Sequence, residues 1–198
     1  MHGLINRSIQ SFLRDTYGDA VWAAVLRGAE VGFDSFEPML FYPPELTDAM
    51  LLAACDTLDR PRADILESLG TYLVTSPNLK ALRRLLRFGG VGFVDFLHTL
   101  EDLPDRARLA LSDLDLPELI LLDQGDGHYR LLCAPMIDGA GFIVVGLLRA
   151  MADDYGALVL LDHLGRDGPN EVVSVHLLDQ SYTEGKRFDL ALPLGRDA

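Results

Sequence analysis

Apolar residues recur at helical spacing through roughly the first 110 positions of the chain. In residues 4–17, Leu4, Ile5, Ser8, Ile9, Phe12 and Leu13 share one stripe, which predicts a helix that Gly18 stops. Asp19 is positioned to cap a second helix carrying Val21, Trp22, Val25 and Leu26. The FYPPE punctuation at 41–45 separates a further helix near 46–57. Asp59 or Pro61 opens the next, which holds Ile65, Leu66, Leu69, Tyr72 and Leu73. Ser76-Pro77 is a cap followed by a first-turn proline. It introduces a helix whose Leu79, Leu82, Leu85 and Leu86 share one face, and Gly89-Gly90 ends it. A helix over 93–103 then turns Phe93, Phe96, Leu97 and Leu100 inward. Pro104 has no amide hydrogen and restricts Leu103, so the helix should end or kink there, with 104–110 starting a new turn.

The second half changes period. ELILLDQ (118–124), GDG and HYRLLCA (128–134) read as a β-hairpin. Residues 139–155 return to a helix bearing Phe142, Val145, Leu148, Arg149 and Tyr155. ALVLLDHL (157–164), a turn at GRDGPN and EVVSVHLL (171–178) form a second hairpin. The expected class is α+β, in one domain over 1–180. A helical lobe occupies 1–110, a β-β-α-β-β lobe with a four-stranded antiparallel sheet occupies 111–180, and a polar tail covers 181–198.

Charge narrows the partners. The formal net charge is −13, which repels nucleic-acid phosphates and anionic membrane surfaces alike. The longest apolar run, GFIVVGLL at 141–148, is too short to span a bilayer. MHGLINRSIQ has no signal-peptide core, and Cys55 and Cys133 are too scattered for a disulfide scaffold or a zinc knuckle. These features suggest a reducing, cytoplasmic setting.

No short motif points to catalysis. The five histidines (His2, His98, His128, His163 and His176) show no metal-ligand spacing. The GxG at 90–92 lacks the preceding strand of a dinucleotide site. His98 lies off the apolar stripe and reads as an exposed or half-exposed helical histidine, with a ligand role as the alternative. Cys133, in an apolar strand, reads as a small buried filler rather than a reactive thiol. Trp22 reads as core.

The ordered series MHGLINRSIQSFLRDTYGDAVW, RPRADILESLGTYLV, FLHTLEDLPDRARL, GFIVVGLLRAMADDYG and LDHLGRDGPNEVVSVHLL resembles the haem nitric-oxide/oxygen binding (H-NOX) family. It spans about residues 1–178. The opening matches M-x-G-x-I-N followed by YG-x-x-x-W. The resemblance implies haem as cofactor, held by a proximal histidine in an Asp/Asn-Leu-His-x-x-Lys/Arg motif. On this chain that motif falls on Asp102, Leu103, Pro104, Asp105 and Arg106, so Pro104 takes the ligand's place. Moving the match onto His98 shifts it six residues, about 600° around a helix. The family's Tyr-x-Ser-x-Arg clamp for the haem propionates falls on Cys133, Pro135 and Ile137, or else on Tyr129, Leu131 and Cys133. Pro117 does match the proline that the family packs against the macrocycle.

With ligand and clamp both replaced, the resemblance implies a non-enzymatic sensory or regulatory domain, of the kind found in bacterial sensors. Such a domain acts through a signalling partner, such as a histidine kinase or a cyclic-nucleotide enzyme. A small apolar ligand is a possible occupant of a cavity between Ile5, Ile9, Leu73, Leu100 and Pro117. The alternatives are a gas sensor whose iron is held by His98, Cys133 or His2, and a haem-free interaction module.

Overall fold

The computed structural model describes residues 1–87, 90–110, 113–114, 116–183 and 185. The expected stop at Gly89 and nearly all of the polar tail lie outside them. Helices α1 (Gly3–Tyr17), α2 (Asp19–Gly28), α3 (Pro44–Leu58) and α4 (Arg62–Thr75) come first. A 3-10 turn at Pro77–Leu79 leads into α5 (Lys80–Arg87), followed by α6 (Phe93–His98) and α7 (Leu103–Ala110). The second lobe is β1 (Leu119–Gly125), β2 (His128–Cys133), α8 (Ala140–Tyr155), β3 (Leu158–Asp167) and β4 (Asn170–Asp179). The four strands form one antiparallel sheet in the order β1-β2-β4-β3. The α+β expectation holds.

Several boundaries differ from the sequence reading. Gly18, at φ 90°, caps α2, and Asp19 is instead its first helical residue, paired with Arg14 at 2.6 Å. Ser76-Pro77 opens a 3-10 turn before α5 rather than α5 itself. The expected 93–103 helix stops early, at His98, and α7 begins at Leu103. Thr99 turns its hydroxyl back onto the Phe96 carbonyl at 2.8 Å, competing with helix propagation. Pro104 has no amide to offer the Leu100 carbonyl, which takes the Leu103 amide at 3.1 Å instead. The chain tightens and restarts with Pro104 in the first turn of α7, where a missing N–H costs nothing.

Both hairpins are as expected in place. Asp126 and Gly127, with φ of 51° and 76°, make the two-residue loop of the first, which needs positive φ at both positions. The second turns at Gly168-Pro169, tighter than the GRDGPN span suggested.

Two cores meet along α4 and α8. One gathers Ile9, Phe12, Leu13, Trp22, Phe36 and Leu66 in the helical lobe, with Ile137 and Ala140 reaching in. The other holds Val74, Leu86, Phe93, Phe96, Leu97, Leu100 and Leu103 against the inner sheet face and α8. Where α4 crosses α8, a Cβ on Gly70 would overlap the Ile143 carbonyl, and one on Gly146 the Glu67 carbonyl. Only glycines let the two backbones touch there. Among the described residues no helix is long and apolar enough to cross a membrane.

Candidate functional site

The expected iron-ligand region is the first turn of α7. Pro104 is buried there beside Leu103. Two residues on, Arg106 donates to the Thr99 carbonyl at 2.6 Å and the Leu85 carbonyl at 3.2 Å. Its guanidinium thus ties α7 to the preceding turn and to α5. His98 ends α6, a different helix, so no single helical rotation relates it to Pro104, contrary to the expectation of one continuous helix. The His98 side chain is exposed, edge-on to the Tyr129 ring at 6.2 Å.

The two other candidate ligands are committed elsewhere. His2 is buried and caps α1, its Nδ1 accepting the Leu4 amide at 3.1 Å while its ring meets Phe41. Cys133 is fully buried on the inner face of β2. Burial pushes its thiol up to about 11, and the nearby Glu171 charge adds to the shift, so the thiol is neutral near pH 7. That fits the buried-filler reading.

The segment expected to clamp a cofactor carboxylate offers no such donors. Cys133 and Ile137 are buried in apolar surroundings, and Pro135 is half-buried. In the other register Tyr129 and Leu131 belong to the same apolar core as Cys133. The amides just downstream are already taken by a carboxylate of the protein itself. Glu171 of β4 accepts from Gly139 N at 2.8 Å and Gly141 N at 2.7 Å, at the start of α8. His163 Nε2 lies 3.1 Å from the same carboxylate. Arg166 stands at 3.9 Å from Glu171 and pairs with Asp138 at 2.7 Å. The sequence pattern singles out His163 but does not bring Glu171, Gly139 and Gly141 to it. Strand parity was the available signal, because Glu171 shares the inward side of β4 with Val173 and Val175.

Of the five residues expected around one cavity, four divide between the two cores. Ile9 belongs to the first, and Ile5 and Leu73 pack against it. Leu100 belongs to the second, and Pro117 is half-buried before β1. Two clefts stand out, and neither takes in any of these five. One, of about 520 Å³, lies between α1, α4 and α8 and is lined by Phe12, Tyr17, Glu67, Tyr72 and Arg149. The other, of about 290 Å³, is polar and lined by Arg7, Gln10, Arg14 and Asp15. Haem needs an iron donor and a carboxylate clamp. The donor chemistry present at the expected positions fits neither.

Comparison with known proteins places the fold. The family model described as haem-NO-binding matches residues 2–163. A soluble guanylate cyclase of Caenorhabditis elegans, gcy-31, is 25% identical over 117 residues, 59% of this chain and 17% of its own length. Soluble guanylate cyclase 89Da of Drosophila melanogaster is 20% identical over 162 residues, 80% of this chain and 24% of its own. The chain therefore spans a quarter or less of these curated relatives. An Fe(II) H-NOX protein from S. oneidensis superposes with a TM-score of 0.76 at 16% identity, covering 91% of this chain and 98% of that one. The unliganded Fe(II) H-NOX protein from K. algicida also gives 0.76, at 14% identity, covering 93% and 100%. With its family model matched from the first helix into β3 and its fold shared with H-NOX proteins, the chain belongs to the haem-NO-binding family.

Proposed function

We propose that residues 1–180 act as one regulatory domain of the haem-NO-binding family that works through a protein partner without histidine-ligated haem. The observation that carries this is the buried Pro104 in the first turn of α7, where the family resemblance expects the iron-binding imidazole. Leu100, Leu103, Leu119 and Leu131 pack in one continuous core beside it. The donors at the start of α8 already serve Glu171. The domain is non-enzymatic and cytoplasmic in this reading. The guanylate cyclase relatives suggest a cyclic-nucleotide enzyme as partner, and a histidine kinase is the other candidate.

Haemin titration of the apoprotein, followed in the visible spectrum, tests the cofactor half. The expected result is a broad, non-saturating absorbance. A sharp Soret band saturating at one haem per chain overturns it, and variants of His98, Cys133 and His2 would then locate the ligand. Retention of a cyclase or kinase on the immobilised domain, with a change in its activity, tests the partner half.

A further inference from the structure

Two histidines that the proposed function leaves unused face each other on the outer side of the sheet. His128 opens β2, His176 lies in β4, and the register sets them directly opposite. One step along each strand, Leu177 donates its amide to the Gly127 carbonyl at 2.8 Å. Bonded and non-bonded pairs alternate in an antiparallel ladder, so 128 and 176 form a non-bonded pair, the kind with closer side chains. The rings stack with centroids 3.8 Å apart and planes 19° from parallel.

The tautomer of His128 is set by its neighbour. Its Nδ1 lies 3.1 Å from the Asp126 carbonyl oxygen. A carbonyl only accepts, so in the neutral ring it is Nδ1 that carries the proton and Nε2 that offers a lone pair. Metal-bound imidazoles characteristically show this arrangement, with one nitrogen on a main-chain carbonyl and the other on the ion. His128 is exposed and His176 half-buried, so an ion can approach from solvent.

We propose that His128 and His176 together bind one divalent first-row transition ion such as Zn²⁺, with water completing its shell. Two Zn–N bonds of about 2.0–2.1 Å at a tetrahedral angle place the nitrogens about 3.3 Å apart. The stacked centroids, 3.8 Å apart, bring both rings within reach of one ion, and each ring must swing out of the stack to turn its lone pair onto the metal. Imidazole selects zinc, copper or nickel over magnesium and calcium. The formal net charge of −13 draws cations to the surface. Among the described residues no group of three or more His, Cys, Asp or Glu is placed to hold a metal. Affinity therefore rests on two protein ligands, and losing either should remove most of it.

Isothermal titration of Zn²⁺ into the full chain near neutral pH tests the pair, using wild type, His128→Gln, His176→Gln and, as a control, His98→Gln. The expected result is one ion per chain for wild type and the control. Both pair variants should bind roughly tenfold or more weakly. Circular dichroism matching wild type shows that the substituted strands still fold. Wild-type affinity in either pair variant overturns the proposal, as does the absence of saturable binding to wild type.

Discussion

Glu171 is a carboxylate almost wholly removed from water, and it persists because its oxygens are fully employed. Two main-chain amides at the start of α8 and the His163 ring surround it. A helix N-terminus favours negative charge, so this residue joins β4 to α8 electrostatically as well as by hydrogen bonding. Glu171→Gln turns one acceptor into a donor facing amides. It should cost about 2–4 kcal/mol in urea unfolding, whereas an exposed change such as Glu37→Gln should stay within about 0.5 kcal/mol.

Cys133 sits nearby in the same interior and responds to pH. Its folded thiol, at about 11, lies above the ordinary value of 9.0. The protonated form is therefore favoured by folding, and this contribution is fully present below pH 9. It should be lost between pH 9 and about 11, costing about 2–3 kcal/mol at the upper end. Urea midpoints should fall over that window in wild type and fall less steeply in Cys133→Ala. Equal slopes would show that the thiol is not responsible.

At the scale of elements, the crossing of α4 and α8 depends on two residues without side chains. Glu67 and Arg149 pair across the same helices, and Thr71 donates to the Gly146 carbonyl at 3.3 Å. Gly146→Ala places a methyl against the Glu67 carbonyl, which is backbone and cannot swing aside. The expected loss is about 1–3 kcal/mol by thermal or urea unfolding. Gly32→Ala, where a Cβ meets nothing within 4 Å, should be neutral or slightly stabilising. Similar effects at both sites would argue against close contact of the two backbones.

The break between α6 and α7 is the second element-level feature with consequences. By separating His98 from the segment beginning at Leu103, it leaves His98 exposed and Pro104 buried. The two side chains thus stand on different helices and in different surroundings.

For the molecule as a whole, the cofactor question becomes one of packing. Val74, Phe96, Leu97, Leu100, Leu103 and Leu131 form part of one core from α4 through α7 to the sheet. In the haem-free reading, a macrocycle placed among them would have to displace buried side chains, each contributing about 1.5–3 kcal/mol through burial. Haemin should therefore leave the thermal midpoint of the protein unchanged, since a ligand that binds the native state raises it. A concentration-dependent rise together with a Soret band would count against the haem-free reading. On the opposite side of the sheet, Leu160 stands across from His176 and is exposed, as are Ile120, Leu122, Leu164 and Leu178. Metal binding at that pair would therefore take place on an open face rather than in the core.

Local pattern along the chain was enough to determine element types, both hairpins and the family. Helical stripes, period-two runs, turn glycines and a spaced series of motifs are all short-range properties, written in consecutive residues. It also showed that Pro104 carries no imidazole, because a side chain's chemistry does not depend on its surroundings. The early stop of the helix before Pro104 is itself local, set by competition for the Phe96 and Leu100 carbonyls that an apolar stripe does not display, whereas the rest was decided by tertiary structure. It was tertiary packing that buried Asn6 and Gln10 on α1. Their polarity hides them from a hydrophobic pattern until Thr47 and the Phe36 amide arrive to bond them. The meeting of Glu171 with the start of α8, and of His128 with His176, required the sheet to form. Those contacts join residues some thirty and forty-eight positions apart, a distance over which sequence spacing carries no geometric information.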